Sequence, residues 1–251
     1  PGRFLAAFDD GRGDVAGLGA DVGLLALDGG TVALLLAGSD SGLRTGPDGA
    51  VALALAATRA FHDVRDQQGG TAWRVAELDE GPARIAARLG AAGSAAVAVP
   101  SAPGTGPAGA VAQDDGRTAV VAVVPLGRLT AAQVELLARS AVGDLQLTPW
   151  RSVVVPDLPD ASAAAELSAA GLVLDPDSAW LRVTACAGRP GCARSLADVR
   201  ADASAAVTAG TLPAAGARQH WAGCGRRCGR PSGQVVDVVA TGQGYRIGSG
   251  T

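Results

Sequence analysis

Lysine and methionine are absent from this chain of 251 residues, and aromatic residues make up only 3% of it. All 21 basic residues are therefore arginines, and with 24 acidic residues the formal net charge is −3. The sequence has no basic tail or sustained basic run, so non-specific binding to nucleic acid has little electrostatic support. Only two histidines are present, and they indicate no Ser-His-Asp hydrolase arrangement.

Long apolar runs are missing too. No stretch of about 18 apolar residues occurs without a glycine, a proline or a charge, so no transmembrane helix is predicted. No secretory signal pattern is found either, and we expect a cytoplasmic protein that does not bind membranes. In that compartment clustered cysteines are more often metal ligands than disulfide partners.

Turn signals and composition divide the sequence into four segments. We expect an α+β half at 1–90, a linker rich in proline, glycine and alanine at 91–116, a ferredoxin-like α+β half-domain at 117–174, and a second half at 175–251. Asp28-Gly29-Gly30 predicts a hairpin between two apolar strands, and Thr130 is the expected cap of a helix. In the last segment, strands are predicted at 181–184 and 219–222, and a helix at 195–208 that begins just after Cys192.

All four cysteines lie in the last third of the chain, as Cys186-x5-Cys192 and, after 31 further residues, Cys224-x3-Cys228. The loops within the pairs are short and rich in glycine, arginine and proline, and each pair is expected to follow a strand. Four thiolates from two tight loops are what a [4Fe–4S] cluster requires. A structural zinc site is the main alternative, although zinc sites usually have shorter gaps within both pairs. Thiols that bind no metal, or that pair as disulfides, are the remaining alternatives.

The cysteine segments resemble the signature of the sirohaem-dependent nitrite and sulfite reductase superfamily, and within it the precorrin-3B synthases. The resemblance covers nearly the whole chain, but only the cysteine segments are specific. The segments that carry it are Val183 to Ala193, His220 to Cys228, Val124 to Leu129, Leu145 to Thr148, and Pro1 to Phe4.

This resemblance implies an α+β fold in which nitrite/sulfite reductase-like halves flank a ferredoxin-like half-domain, with a further half-domain upstream of Pro1. It implies an oxidoreductase that uses oxygen to hydroxylate precorrin-3A and closes a lactone, as in aerobic cobalamin biosynthesis. NADH would be the ultimate electron donor, through a reductase partner. Cys186, Cys192, Cys224 and Cys228 would hold the cluster, an additional non-haem iron is possible in this family, and the oxygen-activating residues are not assigned.

Arginines near the cysteines fit such a substrate, because a tetrapyrrole precursor carries many carboxylates and guanidinium groups bind these in pairs. The predicted substrate-binding residues are Arg3, Arg189, Arg226 and Arg227, with solvated loop arginines as the alternative. Two departures from the family pattern, Gln146 in place of arginine and Leu5 in place of a basic residue, weaken the case for reduction of sulfite.

Two other functions remain open. A sirohaem-dependent nitrite or sulfite reductase would use Cys228 to bridge the cluster and the sirohaem. A non-catalytic electron carrier or zinc-stabilised module would need only the four cysteines.

Overall fold

A computed structural model of the chain describes residues 2–90, 96–101 and 105–249. Its contacts divide the chain into two compact units, Pro1–Gly104 and Thr105–Thr251. None of the helices in the described ranges is both long enough and apolar enough to cross a membrane.

The first unit is built on a four-stranded sheet in the order β1-β2-β3-β4. Its elements are β1 (Ala6–Asp9), β2 (Val22–Leu27), β3 (Thr31–Leu36), β4 (Ser39–Thr45), α1 (Pro47–Gln67) and α2 (Gly81–Arg88). β1 pairs with β2 in parallel, and β2 and β3 form the expected antiparallel hairpin. Gly29 and Gly30 make its turn with positive φ angles of 75° and 73°, which favour glycine. The core centres on Phe61 and Ile85, both fully buried.

The second unit contains two four-stranded sheets, in the orders β5-β6-β8-β7 and β12-β11-β10-β9. The strands are β5 (Gly109–Ala112), β6 (Thr118–Val123), β7 (Gln146–Leu147), β8 (Ser152–Leu158), β9 (Val183–Ala185), β10 (Gln219–Ala222), β11 (Val236–Thr241) and β12 (Gly244–Ser249). The helices are α3 (Ala131–Ser140), α4 (Ala163–Ala169) and α5 (Val199–Ala209). α3 and α4 contribute to the core of the first of these sheets, and α5 to that of the second.

A local sequence signal explains where α3 begins. Thr130 accepts a hydrogen bond from the Gln133 N–H, and the Gln133 side chain accepts one from the Thr130 N–H. This capping box starts α3 as predicted. Arg151 connects the two sheets of the unit, because its side chain donates to the carbonyl oxygens of Val183 (2.6 Å) and Leu181 (3.4 Å).

Three elements differ from the sequence prediction. The strand predicted at 181–184 is β9 at Val183–Ala185, because Ala179–Arg182 form a short 3-10 helix. β5 lies inside the segment 91–116 that was predicted to be a linker, and it pairs along its whole length with β6; residues 91–95 and 102–104 of that segment lie outside the described residues. α5 begins at Val199 rather than at Ser195. The reason is local: the buried Ser195 hydroxyl donates to the Ala197 carbonyl, and Asp198 caps the helix by accepting from the Ala201 N–H.

Candidate functional site

Two neighbouring parallel strands deliver the two cysteine pairs to one edge of a sheet. β9 and β10 run in parallel, with Val183 opposite Gln219 and Ala185 opposite Trp221. Cys186 follows the end of β9 directly, and Cys224 stands two residues beyond the end of β10. Because parallel strands end at the same edge of a sheet, this topology places Cys186 and Cys224 side by side.

Hydrogen bonds join the loops that contain the two pairs. The Gly223 N–H donates to the Cys186 sulfur at 3.2 Å, and the Cys186 N–H donates to the Trp221 carbonyl at 2.9 Å. Just after Cys192, the Leu196 N–H donates to the Gly223 carbonyl at 2.8 Å. The loop that follows β9 is therefore fixed to the loop that follows β10 on both sides of Gly223.

Gly223 is required by this close approach. A Cβ atom at this position would lie 1.9 Å from Ser195 Oγ and 2.7 Å from Ser195 Cβ. Ser195 is itself buried, and its N–H donates to the Cys192 carbonyl at 3.0 Å. The backbone of one cysteine loop thus packs directly on the other.

The four thiols are free, and Cys228 is the most exposed of them. Within the described ranges, no three His, Cys, Asp or Glu side chains come close enough together to hold a single metal ion. The residues nevertheless suit a cluster: four thiol donors lie on hydrogen-bonded loops, one sulfur accepts a backbone N–H, and glycine occupies the point of closest approach. Backbone hydrogen bonds to sulfur are among the features that tune iron–sulfur sites. The α5 N-terminus does not act at Cys192 as expected, because that helix starts only at Val199.

Asp237 ties the loop of the second cysteine pair to the sheet. It lies on β11 with only 4% of its surface exposed. Its Oδ2 accepts from Arg227 Nη1 at 2.7 Å, and its Oδ1 accepts from Arg230 Nε at 2.9 Å. Burial raises the pKa of the Asp237 carboxyl, but the two guanidinium groups outweigh burial and hold that pKa below its usual range.

His220 lies on β10 opposite Asp237 and is completely buried. Its Nδ1 is 2.9 Å from Thr184 Oγ1, so the ring is hydrogen-bonded across to β9. Burial lowers the pKa of His220, although Asp237 and the backbone of Cys228 favour the protonated ring. Its Nε2 has no hydrogen-bond partner within 3.5 Å among the described residues. The buried ring is therefore held through Nδ1, by Thr184 of the strand that leads to Cys186.

The structure gives the four predicted substrate arginines different surroundings. Arg3 forms an ion pair with Glu77 at 3.1 Å in the first unit. Arg227 is held by Asp237, and Arg226 is exposed next to it. Arg189 donates from Nε to the Ser195 carbonyl at 2.8 Å, which leaves its terminal nitrogens available to a ligand.

A cleft of about 630 Å³ lies beside the first cysteine loop. Three arginines line it, namely Arg128, Arg189 and Arg200, and none of them forms an ion pair with another described residue. Arg200 Nη1 donates to the Leu126 carbonyl at 3.3 Å, and the only carboxylate of the lining is the helix cap Asp198. Neither Arg128 nor Arg200 was predicted from the sequence to bind substrate. Arg128 was visible within the Val124 to Leu129 motif, whereas nothing in the sequence marks Arg200.

One half-domain of the chain matches a known family, and the fold of the chain is similar to that of a solved structure. Residues 111–170 match the nitrite/sulfite reductase ferredoxin-like half domain. A solved structure with the same fold is the NirA protein of Mycobacterium tuberculosis, which superposes with a TM-score of 0.68 at 21% sequence identity. That match covers 94% of this chain and 51% of NirA, so the chain spans about half the length of that protein. No curated protein matches the sequence.

Proposed function

We propose that Cys186, Cys192, Cys224 and Cys228 hold a [4Fe–4S] cluster in an oxidoreductase related to the nitrite and sulfite reductases. The observation that carries this proposal is the placement of both cysteine pairs at the carboxyl ends of β9 and β10, with the Gly223 N–H on the Cys186 sulfur. The family match of residues 111–170 supports the same class of enzyme.

The sequence spacing of the cysteines favours a cluster over a single zinc ion. Zinc–sulfur bonds of about 2.3 Å bring four ligand sulfurs within about 4 Å of one another. In a cubane each cysteine binds a different iron atom, so the sulfurs stand farther apart. The gap of five residues between Cys186 and Cys192 suits that wider separation better than the shorter gaps that are usual in zinc sites.

When bound, the cluster would supply one-electron transfer. The contributions of the protein itself are those of the surrounding residues. Gly223 donates its N–H to a ligand sulfur and leaves room for the other loop, and the buried His220 and Trp221 lie in the strand that leads to Cys224. The arginines of the cleft would bind and orient an anionic substrate through paired N–H donors.

The substrate we propose is a carboxylate-rich tetrapyrrole, with the chemistry of a precorrin-3B synthase. In that reaction one oxygen atom of O2 enters precorrin-3A as a hydroxyl group, and an acetate side chain closes a lactone. The second oxygen atom leaves as water, with two electrons from NADH that reach the protein through a reductase. The cleft beside Cys192 supports this proposal, since its three arginines lack carboxylate partners among the described residues in a protein of net charge −3.

A sirohaem-dependent nitrite or sulfite reductase is the second candidate. It is favoured by the family match and by the exposure of Cys228, since a thiolate that bridges to a second cofactor must be accessible. In this reading Cys228 would be shared between the cluster and the sirohaem.

Anaerobic reconstitution of the chain with iron and sulfide tests the proposal. About four iron and four acid-labile sulfide per chain, with an EPR signal on reduction, are expected. One zinc and no sulfide would overturn it in favour of a zinc-stabilised module. The cluster-loaded chain is then tested with precorrin-3A, oxygen and a reductant, while a sirohaem Soret band in protein purified from cells would favour the second candidate.

A further inference from the structure

A residue outside the cysteine motifs, Asp237, holds the loop that carries Cys228. Asp237 lies 9 positions beyond Cys228, on β11, and its two carboxylate oxygens each bind a different arginine of that loop. Arg227 directly precedes Cys228, and Arg230 follows it by two residues. The exposed cysteine therefore lies between two side chains that are anchored to one buried group.

The backbone of the loop makes this anchoring effective. The Arg227 N–H donates to the Cys224 carbonyl at 3.2 Å, and the Arg230 N–H donates to the Arg227 carbonyl at 3.1 Å, so two successive turns enclose Cys228. Arg227 and Gly229, on either side of the cysteine, have positive φ angles of 49° and 76°. A non-glycine residue in that region is strained and persists only where other contacts enforce it. The ion pair with Asp237 is such a contact.

Arg230 makes further hydrogen bonds in addition to its ion pair with Asp237. Besides Asp237, its side chain donates to the carbonyl oxygens of Pro231 and Val235, each at 3.2 Å. Its guanidinium group thus connects the end of the cysteine loop to the start of β11. A buried carboxylate without partners would be strongly unfavourable, so Asp237 and the two arginines hold one another in place.

The first cysteine loop is organised in a different way. Cys186 is fixed by hydrogen bonds of its own backbone and sulfur to β10 and Gly223. Cys228, by contrast, is exposed, and the neighbouring Arg227 and Arg230 join its loop to Asp237 on β11.

We propose that Asp237 is a positioning residue that acts through Arg227 and Arg230. It holds the loop of Cys228 in the conformation in which this cysteine can bind the cluster as its fourth ligand. Asp237 holds this loop in the cluster-free chain as well. The effect on retention of the cluster rests on the function proposed above. Outer-shell partners of metal ligands typically change metal affinity by about 10- to 100-fold when they are removed.

The test compares Asp237→Asn with Asp21→Asn as the matched control. Asp21 is an equally buried carboxylate that forms an ion pair with Arg74 at 2.6 Å, but it belongs to the first unit. In the cluster-free chain, hydrogen exchange of the Arg227 and Arg230 amides should be about tenfold faster in Asp237→Asn, because a hydrogen bond to a charged group is released. In the reconstituted chain, an iron chelator should remove the cluster about 10- to 100-fold faster. Asp21→Asn should change neither rate.

Two results would overturn the proposal: exchange of these amides at the wild-type rate in Asp237→Asn, or equal acceleration of exchange by Asp21→Asn. If Asp237→Asn does not fold, Arg227→Gln releases only the more exposed of the two arginines, and the same criteria apply to the Arg230 amide. If the wild-type chain takes up no iron and sulfide, the cluster assignment fails, while the exchange experiment still decides whether Asp237 positions the loop.

Discussion

Replacement of Gly223 by alanine should destabilise the second unit strongly, because no space exists for one additional carbon atom. The new Cβ would stand 2.7 Å from Ser195 Cβ and 1.9 Å from Ser195 Oγ, whereas carbon atoms in contact are normally about 3.5–4.0 Å apart. Ser195 is only 2% exposed, and its hydroxyl donates to the Ala197 carbonyl at 2.7 Å. It can therefore turn away only by breaking that bond.

The expected loss in free energy of unfolding follows from these contacts. Overpacking of a buried position costs about 1–3 kcal/mol. Displacement of Gly223 also weakens its hydrogen bonds to Cys186 and Leu196. A loss of about half of the roughly 1 kcal/mol that each typical bond contributes adds about 1 kcal/mol. The sum is about 2–4 kcal/mol, which corresponds to a decrease in Tm of roughly 5–15 °C for a unit of this size.

Urea unfolding of the cluster-free chain, followed by tryptophan fluorescence, measures this loss. Gly225→Ala is the matched control, since a Cβ at Gly225 meets no atom within 4 Å and the residue lies in the same loop. Addition of Ser195→Gly to Gly223→Ala should recover part of the stability, because it removes the atoms that clash. An unfolding free energy of Gly223→Ala within about 0.5 kcal/mol of the wild type, the range of ordinary surface substitutions, would refute the reasoning.

Three further predictions concern acid stability, the cleft and the ligand set. Burial raises the pKa of Asp9, but four backbone N–H donors outweigh burial and hold that pKa below the ordinary 3.8. The contribution of the Asp9 carboxylate to stability is therefore complete above pH 3.8 and is lost as the pH falls through the folded-state pKa. Asp9→Asn should lower the urea midpoint at pH 7, and its effect should become smaller as the pH is lowered below 3.8. Arg200→Gln should weaken binding of uroporphyrin, a probe with eight carboxylates, about tenfold in a fluorescence titration. The control Arg139→Gln, on α3, should leave the affinity unchanged. An Arg200→Gln chain that binds uroporphyrin as tightly as the wild type would exclude Arg200 from the binding site. Cys192→Ser should abolish most of the iron and acid-labile sulfide of the reconstituted chain, and a wild-type content of both would exclude Cys192 as a ligand.

Elements with a complete local signal could be predicted from the sequence. The Asp28–Gly30 turn needs residues that accept positive φ, and two glycines supply them. The start of α3 follows from Thr130 and Gln133 alone. β10 has the predicted bounds Gln219–Ala222, and all four of its residues are buried.

The missed elements depend on partners that are distant in sequence or on side-chain geometry. β5 consists of Gly109-Ala110-Val111-Ala112, of which only Val111 favours strands. It is a strand because β6 pairs with it. The later start of α5 depends on the direction in which the Ser195 hydroxyl points. The sequence places Arg227 beside Cys228, but it does not show that Asp237 binds this arginine.

The same distinction holds for the candidate site. The four cysteines and their spacing are visible in the sequence, and so is Arg189 within the first loop. The cleft is not, because Arg128 and Arg200 are 72 residues apart in the chain and meet only through folding.

The contacts between the cysteine loops have a consequence for repair of the protein. In zinc fingers the metal drives folding, and the empty chain is unfolded. Here the bonds that unite the loops run from one protein group to another, through Gly223 and Leu196, and the strands β9 to β12 pair with one another through their backbones. If the proposed cluster is bound there, its loss to oxygen should leave the loops joined, and iron and sulfide should restore it without refolding of the chain.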